Sequence, residues 1–514
     1  MPSPQTTLQL LWLTTQLPPS ALTRISLPNS GELLPTSFHL TTAAQASIGA
    51  CVGIAAEILR MRRAAERNGG TEEEAELVVE GRDAVAEFRN ERLSRCGGEP
   101  GQLWDPLAGQ YPAAVSPPAS QGGPSSAWVR PHLNFPHHRD GLLKHLGLPT
   151  DGTTTKEMLA NRLKTLPAHE TANEVMEKGL CMTSLRGFTD WDLHEQGQVA
   201  SDKGGGPIPL YKLNDRPPKP FPKVPSDKRN RPLQGIKVLD LTRVIAGPTA
   251  GRALATYGAD VLWVNAPHNP KLPALDFDTS RNKRSIQLDL RRSNPTDRAQ
   301  FEDLLRTADV LLQSYRPDGL CSLGYPIEKC LEINPDLVYA TLSAWGEEGP
   351  WKERKGFDSL VQFAVGFNEA EGRAWETFRN GKEVEEESGV EPRALPCQAL
   401  DHSSGYMLAF GIQAALYHRS QTGGAYYVEN SLLSTATWIR SLGRAPLESF
   451  ANIPETFEEL DRRGRIGRAR GFEGKEVEFV RHSPRVVGGS FEIKEEGGPR
   501  GYDDEEVGGW GSVR

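Results

Sequence analysis

An excess of basic charge is absent from this chain. Its 59 Lys and Arg stand against 67 Asp and Glu, a net charge of −8, which leaves no broad positive field to draw nucleic acid or an anionic membrane. Any anionic ligand must be met by basic side chains gathered locally. Cysteine is scarce as well: Cys51, Cys96, Cys181, Cys321, Cys330 and Cys397 lie far apart without CxxC spacing, so neither a zinc site nor a disulfide framework is expected. Reduced thiols in the cytoplasm or an organelle, mitochondrion or peroxisome, fit best. No run reaches the roughly 18 to 20 apolar residues of a membrane-spanning helix, and Leu8–Leu17 is broken by Thr and Gln. The start lacks the basic lead of a signal peptide, and Gly511-Ser512-Val513-Arg514 is not a peroxisomal address. A GxGxxG fingerprint is missing too, which removes the usual reason to expect a nicotinamide cofactor.

What is present divides the 514 residues into five stretches. Residues 1–37, rich in Pro, Ser and Thr, read as loosely ordered. Residues 38–202 hold a buried helix over Thr41–Arg63, closed by cations, a Gly- and Pro-rich loop over Gly97–Ser126, and helical patterns at Gly141–Leu148 and Thr155–Lys178. Residues 203–230 read as a linker with a short strand candidate at Pro209–Leu213. In residues 231–450 the pattern becomes strand, helix, strand: Ile236–Leu241, Thr249–Tyr257, Asp260–Val264, Phe301–Ala308, Asp309–Leu312, Leu337–Leu342. Units of that length favour a parallel sheet with helical crossovers. Residues 451–514, rich in Gly, Arg and Glu, read as a weakly ordered tail. One internal echo links the halves: Gly53-Ile54-Ala55-Ala56 and Gly411-Ile412-Gln413-Ala414 each begin a helix, glycine stop, strand succession, which chance also produces.

Several local groupings carry chemistry. Thr242–Pro248 follows a strand and opens a helix, so its N–H groups face an anion or carbonyl position, although a plain turn reads the same way. Arg281-Asn282-Lys283-Arg284-Ser285 suits phosphate through charge-assisted hydrogen bonds, with a solvated basic loop as the alternative. Ser314-Tyr315-Arg316 follows a strand at the sheet edge where ligands bind. Gly346–Pro350 and Gly356-Phe357-Asp358 place a carboxylate beside flexible glycines, as a carboxylate nucleophile needs. Asp401 opens a helix, where it also reads as an N-cap. His132, His137, His138 and His145 lack partner acids and read as solvated residues, not metal ligands.

The order of these blocks resembles a known family. PLQGIKVLDLTRVIAGP, YGADVLWVNAP, RNKRSIQLDL, ADVLLQSYRPDGL, INPDLVYATLSAWGEEGP, KGFDSLVQFAVG and ALDHSSGYMLAFGIQAALYHRSQTGG together resemble the first half of family III (CaiB/BaiF-type) CoA-transferases, which include α-methylacyl-CoA racemases. The resemblance implies an α/β fold with a Rossmann-like parallel-sheet CoA-binding domain and a smaller α/β domain, here with pieces in tandem or permuted order. It implies acyl-CoA and a carboxylic acid as small-molecule partners, CoA as substrate with no permanently bound cofactor, no nucleic-acid or membrane partner, and a homodimer. Ile245, Ala246, Asn282, Lys283, Arg284, Ser285, Ser314, Tyr315, Arg316, Ser343, Trp345 and Gly346 match the CoA-contacting stretches, and Asp358 and Asp401 match acidic positions and are the expected catalytic carboxylates, Asp401 ahead of Asp358 as acid/base. The implied reaction is attack of a carboxylate on the thioester, with glycine-loop N–H groups holding the oxyanion. The nucleophile is left unassigned. Phe357 stands where racemase members carry a His, so acid/base chemistry at the α-carbon, and an inactive CoA-binding homologue, remain the alternatives.

Overall fold

The computed structural model describes residues 3–28, 31–66, 75–115, 127–202, 206–225, 228–270, 272–384, 389–471 and 474–498. Its largest sheet has seven strands: β1 (Leu210–Lys212), β2 (Lys237–Leu241), β3 (Asp260–Asn265), β4 (Arg284–Gln287), β5 (Val310–Gln313), β6 (Val338–Ser343) and β7 (Tyr426–Ser431). They lie in the order β4-β3-β2-β5-β6-β7-β1, every pair parallel except β7 with β1. The chain builds outward from β2 to β4, then returns to the other side of β2 with β5. The loops leaving β2 and β5 therefore part company at their carboxyl ends, which is where open α/β sheets bind ligands.

Side chains alternate across these strands with period two. Val238, Val310, Val338 and Ala340 belong to one core cluster and Leu239, Leu311 and Tyr339 to the other. Because both faces are covered, the central strands β2, β3, β5 and β6 read as mostly apolar runs, whereas the edge strand β1, Leu-Tyr-Lys, is largely exposed. On the first face lie the helices α1 (Leu40–Glu66), α2 (Ala246–Thr256) and α4 (Ala399–Thr422), while α3 (Asp358–Ala364) and α5 (Leu432–Ser441) flank α4. The α2/α4 contact requires Gly405, since a Cβ there would stand 2.6 Å from the Ala246 carbonyl oxygen.

α1 has the length and mean hydropathy, 1.4, of a membrane-spanning helix, which run-counting missed because Thr, Ser and Gln interrupt its apolar positions. Its most apolar stretch is wholly buried within the protein, while Arg60, Ala64 and Ala65 near its end are exposed, and Gln413 of α4 donates to the Cys51 carbonyl at its centre, 3.1 Å away. The internal echo has a structural counterpart. α1 is followed by the strand Glu76–Val78 and the helix Gly81–Glu87, as α4 is followed by β7 and α5.

Two expected regions of low order differ in the structure. Pro4–Leu13 is a helix capped by Ser3, burying Leu8, Leu11 and Trp12 at helical spacing. Residues 457–487 form a helix and three strands. Glu476–Val480 pairs with Arg95–Cys96, and Arg485–Val487 pairs with Glu76–Val78, so this segment completes sheets begun in the N-terminal half; residues 499–514 lie outside the described residues. The linker carries β1 to the edge of the large sheet. A third small sheet, Tyr111–Ala113, Ala127–Pro131 and Met182–Ser184, turns the segment 131–139 toward the carboxyl ends of β2 and β5.

Candidate active site

The turn after β2 sets the site. Asp240 accepts from the Thr242 N–H at 3.0 Å, which bends the chain as it leaves the strand. Val244 then has φ +76°, a left-handed conformation that a β-branched residue adopts only under constraint. The consequence is that α2 begins at once, with Ile245 as an N-cap that makes no side-chain hydrogen bond. By helix geometry the N–H groups of Ala246 and Gly247 have no intrahelical acceptor. They line a cavity of about 300 Å³ together with Val244, Ile245, Ser314, Tyr315, Arg316, Ser343 and Asp401.

Asp358 and Asp401 approach each other through the starts of α3 and α4. Asp358 is buried, and its carboxylate accepts from the N–H groups of Leu400 at 2.9 Å and Asp401 at 3.1 Å, with the Gln362 amide on its other oxygen. It buttresses the first turn of α4. Burial pushes its carboxyl up to about 6 against those hydrogen bonds. The Asp401 carboxylate accepts no hydrogen bond among the described residues and looks into the cavity. Burial, then the negative charges of Asp358 and Glu91, drive it well above the carboxylate range. Glu91 is itself held 2.9 Å from His402 Nε2.

Three cations border the same cavity. Arg243, Arg316 and Lys355 line it; Arg316 donates to the Glu353 carbonyl at 3.0 Å, and Lys355 lies 3.0 Å from His138 Nε2. His132 lies flat on Phe357, ring centres 3.8 Å apart. The expectation of solvated histidines is corrected here: His132 and His138 are buried, and burial first, then neighbouring positive charge, brings both down to about 3. They are neutral imidazoles. A cluster of His, Cys, Asp or Glu able to hold a metal does not occur among the described residues.

Of the residues expected at a CoA site, Ile245, Ala246, Ser314, Tyr315, Arg316 and Ser343 converge with Asp401 on the one cavity. Asn282, Lys283, Arg284 and Ser285 do not. Lys283 is buried against Asp240 at 2.8 Å, beneath Gly251, where a Cβ would collide with that pair. Arg284 pairs with Asp260 at 2.7 Å. Asn282 donates to the Lys494 carbonyl and accepts from the Glu496 N–H, and Ser285 is buried. Trp345 and Gly346 line a separate cavity against Gln196 and α5, and the Gly346 N–H is taken by Ser343 Oγ at 3.0 Å. The start of α2, not Gly346, borders the cavity that Asp401 lines. Arg243, Lys355 and His132 were not singled out as site residues. Lys355 directly precedes the Gly-Phe-Asp motif, a signal available in the sequence; His132 arrives only through tertiary packing.

Residues 233–454 match the family described as CoA-transferase family III. The chain is 33% identical over 285 residues to an acyl-CoA transferase of Gibberella moniliformis, covering 54% of this chain and 47% of that one. It is 31% identical over 231 residues to a probable fatty acyl-CoA transferase of Mycobacterium tuberculosis, covering 42% and 55%. To a succinate–glutarate CoA-transferase of Agrobacterium fabrum it is 32% identical over 223 residues, covering 40% and 52%. The chain thus spans about half the length of the curated relatives it matches. A solved CaiB/BaiF family protein from Brucella suis is 28% identical, covering 42% of this chain and 59% of that one, at a TM-score of 0.34.

Proposed function

The chain carries a CoA-transferase family III domain over residues 233–454, and we propose from that premise that it moves CoA between an acyl-CoA thioester and a carboxylic acid. One observation carries the assignment of roles: the unpartnered Asp401 carboxylate lines the same cavity as the start of α2, whose first N–H groups have no intrahelical acceptor. Asp401 attacks the thioester carbonyl carbon, the C–S bond breaks, and CoA leaves as thiolate from an acyl-aspartyl anhydride. The thiolate then attacks the Asp401 carbonyl carbon, releasing the first acid and leaving an aspartyl-CoA thioester. The incoming carboxylate reverses both steps. The Ala246 and Gly247 N–H groups suit the oxyanion of each tetrahedral intermediate, and Arg243, Arg316 and Lys355 suit the phosphates of CoA. Asp358 positions Asp401 through its backbone. Incubation with acyl-CoA and hydroxylamine tests this: the wild type yields an aspartyl hydroxamate at residue 401, and Asp401→Asn yields none and exchanges no label between acyl-CoA and free acid. Absence of a hydroxamate in an enzyme that exchanges label would sink the covalent role.

A second reading has one observation in its favour. His132 and Asp401 border the same small cavity, the first neutral and the second disposed to hold a proton, which is the pairing that proton exchange at the α-carbon requires. Deuterium uptake at that carbon from heavy water, without label exchange between acids, would select it.

A further inference from the structure

The cavity at the end of β2 does not stop at Asp401. Val244, Ile245, Phe357 and Asp401 are also walls of a narrow neck of about 30 Å³. Leu103, Trp104, His132 and Leu275 on the far side of that neck in turn border a chamber of about 820 Å³. The three spaces share walls in turn: Arg243, Arg316 and Lys355 line only the first, Asp401 the first and the neck, and Phe135 and Val244 border both the first cavity and the chamber. The chamber is built mostly by the N-terminal half and by residues 272–277, and its lining is more apolar than polar: Trp104, Phe135, Phe277, Leu103 and Leu275 outweigh Gln102 and Asn134. Arg139, at its edge, is neutralised by Asp105 at 3.3 Å and Asp140 at 2.9 Å; Glu99 and Lys475 stand at the exposed rim.

We propose that this chamber receives the acyl group of the substrate, and that the group is bulky and apolar, a medium or long aliphatic chain or an aromatic acyl, not a short or dicarboxylic one. The proposal rests on the reading of Asp401 as the residue that meets the thioester carbonyl. With CoA drawn toward Arg243, Arg316 and Lys355, the acyl substituent leaves the carbonyl on the opposite side, and that side opens through the neck into the chamber. The volume lies within the range of pockets that enclose small molecules. Its lining rewards each methylene removed from water by up to about fourfold in affinity, whereas a second carboxylate would lose its hydration beside an arginine already paired.

The test measures equilibrium binding of CoA, acetyl-CoA, octanoyl-CoA and phenylacetyl-CoA to the full chain, alongside label exchange with each thioester. Affinity is expected to climb at least tenfold from acetyl-CoA to octanoyl-CoA. Leu275→Trp, which plugs the neck, removes that gain and leaves acetyl-CoA affinity within twofold, and the smaller plug Leu103→Phe does so in part, guarding against a folding defect. Affinity that is flat with chain length, or variants that weaken acetyl-CoA as much as octanoyl-CoA, overturn the chamber. Binding that climbs with chain length while no thioester exchanges label overturns the transferase reading and leaves the chamber standing.

Discussion

At the scale of single residues, Asp401 carries the largest tension in the site. A nucleophilic carboxylate must be ionised, yet burial, Asp358 and Glu91 all oppose its charge. Activity requiring the ionised form therefore rises with pH, and its kcat/KM profile is expected to show an apparent pKa above the ordinary carboxylate range, near 4. Asp358→Asn removes one of the two opposing charges and is expected to move that apparent pKa down, with a lower plateau because α4 loses its buttress. A profile already flat above pH 5 in the wild type would contradict the role. Arg316, exposed on the cationic wall, predicts a different signature: Arg316→Ala raises KM for the CoA thioester by about tenfold with kcat nearly kept, as loss of a phosphate contact does. Asp401, Ser314 and Arg316 were legible in the sequence because each follows its strand or opens its helix within a local motif. Lys283 and Arg284 were not, because their partners Asp240 and Asp260 come from neighbouring strands. Composition does not tell a basic cluster that pairs with carboxylates of the same sheet from one that awaits phosphate.

Among elements, the turn between β2 and α2 is the place where stability and function pull apart. Val244 at φ +76° stores strain on the order of 1–3 kcal/mol, and the same residue borders all three adjoining cavities. Val244→Gly relieves the strain and is expected to raise Tm by about 2–4 °C while lowering kcat, because the start of α2 is no longer held against Asp401. Calorimetry and label exchange on one preparation read both, and a variant that gains neither stability nor loses turnover would show the strain to be irrelevant. The strands β2, β3, β5 and β6 were legible to within a residue, since two-faced burial makes each a short, mostly apolar run. The helix Pro4–Leu13 was missed although Leu8, Leu11 and Trp12 keep helical spacing, because Thr and Gln between them mask a stripe only three residues long.

The whole molecule is closed by groups that sequence distance conceals. Glu87 lies buried where the two halves and the C-terminal segment meet: it accepts from the Tyr406 hydroxyl, lies 2.8 Å from His482 Nδ1, and accepts from the Ser483 N–H at 2.8 Å. Arg252 lies 3.8 Å away and also pairs with Asp278. Nothing in the sequence near residue 87 announces this, and the segment after 455 reads as a tail because its apolar residues are few. The folded position of that segment depends on these contacts as much as on Val477, Phe479 and Val480. Burial alone would raise the Glu87 carboxyl, but His482 and Arg252 override it and hold it well below its ordinary value. The linked stability is present above the unfolded value, near pH 4.5, and is lost as pH falls from there toward the depressed folded value. Glu87→Gln removes the charge that Arg252 and His482 face, leaving Arg252 with Asp278 alone, and is expected to cost about 3–5 kcal/mol at neutral pH. It should also flatten the acid limb of the stability curve, since the titrating group is gone. Denaturant unfolding of both proteins between pH 3 and 7 checks the two effects together. A variant that loses stability equally at every pH would show that Glu87 acts through packing alone and not through its charge.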